Sequence, residues 1–83
     1  MMKELSERST ENASYRKVLE DLQNNFAGGS QSFNEPGYIG AAAKILFPEK
    51  SINKGMEIVS SALEFYKKRG DISIKEKRIE FNK

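Results

Sequence analysis

Chemistry needs particular side chains, and this chain holds few of the usual ones. Of its 83 residues none is Cys, His or Trp. That removes disulfides, thiolate nucleophiles and Cys-held zinc or iron–sulfur centres, along with the commonest general base and transition-metal ligand. Four groupings remain. Glu7 and Glu11 stand four apart and Glu20 adjoins Asp21. Carboxylates so placed form a solvated helix face, whereas acid–base work requires at least one buried, perturbed group. Ser60-Ser61 has no histidine to activate it. Gly28-Gly29-Ser30 lacks the lysine and the preceding strand of a phosphate-binding loop, so it reads as the turn that ends a helix. No EF-hand spacing of acids exists. The sequence therefore predicts no catalytic residue, no metal and no cofactor, and a non-enzymatic role.

The fourth grouping is a charge run. The whole chain carries +2, but residues 66–83 hold seven Lys/Arg against three Asp/Glu, a local +4, while residues 1–65 carry −2. A basic C-terminal fifth of this kind suits a polyanionic partner, or serves as a solubilising end. Tyr15, Tyr38 and Tyr66 each fall beside an apolar stripe, where a phenol buries its ring and keeps its hydroxyl wet; base stacking is the other use of such a ring.

The elements that must position these residues follow from periodicity. Tyr15, Val18, Leu19, Leu22 and Phe26 mark one face of a helix over residues 10–26, with Ser9 or Thr10 as cap and Gly28-Gly29 as its end. Residues 1–9 add a frayed turn or stay disordered. Residues 27–36 read as a loop with Phe33 as its anchor. A short central helix follows, capped by Asn34, with Pro36 in its first turn, Gly37 and Gly40 allowing close packing, and Pro48 stopping it near Phe47. The longest helix, residues 51–69, takes Ser51 as cap and Gly70 as its left-handed exit. Ile52, Met56, Val59, Leu63 and Tyr66 form its stripe, widened by Ile58, Ala62 and Phe65. The period then changes to two. Ile72 and Ile74 face Phe81 and Ile79 across a four-residue tip, Lys75-Glu76-Lys77-Arg78, in a β-hairpin; the competing reading is a fourth helix capped by Ser73.

Residues 56–63 (MEIVSSAL) and 65–82 (FYKKRGDISIKEKRIEFN) together resemble the recognition helix, glycine-bearing exit and two wing strands of winged helix-turn-helix DNA-binding domains. The resemblance covers about 30 residues, and in that family the helix enters the major groove while the wing touches phosphates. It implies that Ser51, Asn53 and Lys54 open the recognition helix, that Glu57, Ser60 and Ser61 face bases, and that Lys75, Lys77 and Arg78 meet phosphates. Without it, Ser51 is an ordinary cap and the wing charges a solvated tip. The link between Phe47 and Ile52 discriminates: a compact turn fits DNA reading, a splayed loop a plain bundle.

The expected protein is thus one small mainly α domain over residues 1–83, three helices plus a C-terminal hairpin of winged-helix-like form, the alternative being an all-α three- or four-helix bundle. Its expected role is regulatory or accessory binding of nucleic acid. The rival is a protein-binding module, an inhibitor, immunity or antitoxin-like protein that occludes a partner. A third reading is a structural subunit, with Phe33, Phe47 and Phe65 sealing a homodimer. No signal-like stretch opens the chain, and the longest apolar run, residues 41–47, is broken by Lys44; a cytoplasmic protein with no membrane partner is expected.

Overall fold

The structure, a computed structural model, describes residues 12–26 and 32–82. Three helices, α1 (Ala13–Phe26), α2 (Glu35–Leu46) and α3 (Ile52–Arg69), precede an antiparallel hairpin of β1 (Ile72–Lys75) and β2 (Arg78–Phe81). The hairpin excludes the all-helical alternative. The cap expected at Ser9 or Thr10 and the Gly28-Gly29 exit lie outside the described residues. Asn12 caps α1 instead: its Oδ1 accepts from the Tyr15 N–H at 2.9 Å and its carbonyl from the Arg16 N–H at 2.9 Å.

Helix α2 begins where its carbonyls find donors and Pro36 costs no hydrogen bond. Asn34 sits at the N-cap, but its side chain makes no capping bond; its backbone carbonyl accepts from the Tyr38 N–H at 2.8 Å. Ahead of Pro48 the helix ends, and the link to α3 is a compact turn in which the Lys50 N–H donates to the Phe47 carbonyl at 3.1 Å. Ser51 Oγ then accepts from the Lys54 N–H at 3.2 Å and starts α3. At the far end Gly70 takes φ 88°, and the amides of Gly70 and Asp71 both donate to the Tyr66 carbonyl at 3.0 Å, closing the helix as expected.

One close approach joins α2 to α3. A Cβ on Gly55 would lie 2.9 Å from the Ala43 Cβ and 3.3 Å from the Ala43 carbonyl oxygen. The glycine that lets helices touch is therefore Gly55; around Gly40 no atom lies within 4 Å of such a Cβ, and Gly37 meets only the Asn34 side chain. Lys67 Nζ reaches Glu35 Oε2 at 3.4 Å near the other end of the pair. Contacts at 43/55 and at 35/67 make α2 and α3 an antiparallel helical hairpin; helix-turn-helix pairs meet nearer a right angle.

The core is formed by Val18 and Leu22 from α1, Ala42 and Ala43 from α2, and Val59, Ala62, Leu63 and Tyr66 from α3. Phe33 and Phe47 from the links and Ile72 and Ile79 from the hairpin complete it. Phe33 anchors its loop as expected, at 1% exposure. Two expectations fail here. Ile52 (42% exposed) and Met56 (37%) belong to the sequence stripe but not to the core. The buried stripe of α3 runs instead through Gly55, Val59, Ala62, Leu63 and Tyr66; Ile52 lies in the turn before it, and Met56 is turned about 100° around the helix from Gly55, the residue that meets Ala43. Ile45 is 71% exposed, so α2 is not apolar-packed all round.

Candidate functional site

The hairpin keeps the register read from the sequence, Ile72 opposite Phe81 and Ile74 opposite Ile79. Its tip is shorter than expected. Lys75 pairs with Arg78 as part of the ladder, leaving a two-residue turn, Glu76-Lys77, in place of a four-residue tip. Of the turns that match the twist of the strands, type I′ needs positive φ at both central residues, which is why Asn-Gly dominates it. Glu76 has φ 50° and Lys77 φ 64°, so two residues with side chains occupy the left-handed region. The tip is also tied to the body of the protein: the Phe33 N–H donates to the Lys77 carbonyl at 2.7 Å.

Alternation then sorts the side chains. Ile72 and Ile79 are buried, Ile74 and Phe81 half-buried against the core; Lys75, Arg78 and Glu80 point outward beside half-buried Ser73. Lys75 and Arg78 are thus direct cross-strand neighbours of like charge, an arrangement that destabilises a ladder. Among the described residues none of Lys75, Lys77 and Arg78 has an ion-pair partner. The rest of the basic segment is differently engaged. Lys67 is bracketed by Glu35 and Glu64, and Arg69 pairs with Asp71 Oδ2 at 2.8 Å while lying 5.0 Å from the Phe65 ring centroid. Those two cations hold the fold together; the tip cations face solvent.

The residues expected to read bases sit elsewhere. Ser51 is the cap of α3, and Asn53 is exposed within its first turn. Lys54 pairs loosely with Glu57 at 3.8 Å, both well exposed. With Ile58 and Ser61, these two line a shallow groove against the first turn of α1, residues 12–15, so this stretch of α3 faces its own neighbour helix. Ser60 is exposed. The hairpin tip touches Phe33, just ahead of α2, whereas Ser51, Asn53 and Lys54 lie where α2 has ended. The two sets are therefore apart by about the length of α2, roughly 18 Å at 1.5 Å per residue.

The tyrosines are structural. Tyr66 is fully buried, and Tyr15 packs on Phe65 with ring centroids 5.4 Å apart. Tyr38 donates to Asp21 Oδ2 at 2.7 Å across α1 and α2. Burial, then the hydrogen bond and the negative charge of Asp21, push the Tyr38 phenol well above its ordinary range, so it remains a donor. Among the described residues no group of three Asp or Glu could hold a metal ion, and no helix is long and apolar enough to cross a membrane. A scan of protein-family models and searches of curated proteins and of solved structures return no match to this chain.

Proposed function

We propose that this protein is a small non-catalytic nucleic-acid-binding protein whose hairpin tip grips phosphates through Lys75, Lys77 and Arg78. One observation carries the reading. The same four residues, 75–78, break two local rules at once, with side chains at both left-handed turn positions and two cations opposed across the ladder. Sequences agree with their fold nearly everywhere, and the places where they do not are where function is sought. A polyanion relieves the opposed charges; among the described residues neither Lys75 nor Arg78 has an ion-pair partner. The turn between α2 and α3 is compact, but the two helices run antiparallel rather than crossing as a helix-turn-helix pair does, so the proposal rests on the tip and not on α3.

The test is binding of a labelled duplex at about 50 mM salt, where non-specific binders are retained. Replacing Lys75, Lys77 and Arg78 together by Ala should flatten the log–log salt slope by about two to three units. Circular dichroism should stay unchanged, because exposed charges contribute little to stability. Retention of neither duplex nor single strand by the wild type would make the tip a solubilising end.

A second reading, the occluding protein-binding module or a homodimer, is favoured by Ile52 and Met56, four apart and exposed at the start of α3. Phe33, Phe47 and Phe65, the residues first considered as a dimer seal, are turned inward. Light scattering over a concentration series tests the homodimer, and loss of self-association in Ile52→Ser would support it.

A further inference from the structure

Resting on the proposed function, we infer that the ligand is the backbone of a nucleic-acid duplex, gripped end-on by the hairpin tip without regard to base sequence. A different set of observations carries this step. Binding of single strands relies on aromatic rings offered to unstacked bases. All eight rings of this chain, five Phe and three Tyr, are in the core or packed against it. Phe81, the ring within the hairpin, sits on its inner face opposite Ile72. The tip therefore offers charge and no stacking platform.

The footprint is short as well. One ladder pair back from Lys75 and Arg78 on the outward face, after the inward Ile74–Ile79 pair, come Ser73 and Glu80. A duplex laid along the ribbon would set its phosphates against the Glu80 carboxylate, so contact is confined to the end, where three cations outnumber the single carboxylate of Glu76. The backbone that carries them is held by the Phe33–Lys77 hydrogen bond and by the two-residue turn. Lys75 and Lys77 meet phosphate as point charges, and contacts to phosphate, those of Arg78 included, carry no sequence information. A duplex, with one charge per about 1.7 Å of axis, supplies the denser target for such a cluster.

The experiment uses the full chain and fluorescence anisotropy with two duplexes of unrelated sequence and one of their component strands, all of equal length. The expected result is that both duplexes bind within about twofold of each other and more tightly than the strand. Duplex affinity should fall about 40-fold between 50 and 200 mM salt, the value for three phosphate contacts. Glu80→Gln, which removes a repelling charge without touching the cations, should tighten duplex binding. A strand bound as tightly as the duplexes, or a preference above about tenfold between the duplexes, overturns the inference while leaving nucleic-acid binding intact. Failure of all three ligands to bind at 50 mM overturns the functional reading, and this inference with it.

Discussion

Two turns of this molecule solve the same problem in opposite ways. Between α2 and α3, Pro48 ends one helix, the Lys50 amide closes the turn on Phe47, and Ser51 caps the next helix. Each residue there is of a type its position favours. Between β1 and β2, Glu76 and Lys77 take positive φ without being glycine or asparagine, and Lys75 faces Arg78. The first turn is what stability alone selects. The second goes against local preference, and on the proposed function that is the cost of offering Lys75, Lys77 and Arg78 to phosphate.

Substitutions can break the first turn or sharpen its contrast with the second. The largest effect is expected at Gly55, where Val would drive methyl groups into Ala43 and force α2 away from α3. Chemical denaturation should show a loss of about 1–3 kcal/mol, the range for overpacking. Ser51→Ala removes the acceptor for the Lys54 amide and should cost about 1 kcal/mol in the same measurement. The Tyr38 contact comes next. Its phenol is held above its unfolded value, so its contribution is complete below about pH 10 and is lost as pH rises beyond it, when the unfolded chain ionises first. Melting temperatures between pH 8 and 11 should accordingly fall less steeply in Tyr38→Phe than in the wild type. Smallest of all is Ile52→Ser, expected within about 0.5 kcal/mol because the side chain is already half in solvent.

Much of this contrast was legible before any coordinates. The stripes of α1 and α3, the Ser51 cap, the Gly70 exit, the Pro48 stop and the pairing of Ile72 with Phe81 all follow from local chemistry. What stayed hidden depends on neighbours. A glycine inside a helix reads as a weak point, so Gly55 gave no sign that Ala43 presses against it. Ile52 and Met56 have the right period, but which side of that stripe is covered is set by where Gly55 meets Ala43. Glu-Lys carries no turn signal, so the ladder appeared to stop at Ile74 and Ile79. The tip cations were visible as charge; that Lys75 and Arg78 stand opposed across the ladder is a property of the two-residue turn.

The central claim is that residues 75–78 sacrifice stability for binding. Thermal unfolding of the wild type and of a Lys75→Thr/Lys77→Gly variant, each with and without duplex at about 50 mM salt, tests it most directly. Glycine removes a left-handed penalty of about 1–2 kcal/mol, and threonine ends the opposition of like charges. At about 4–8 °C per kcal/mol for a domain of this size, the variant alone should melt several degrees above the wild type. Added duplex should raise the wild-type melting temperature and leave the variant nearly unmoved. A variant that melts below the wild type, or a duplex that shifts both proteins equally, would contradict the account.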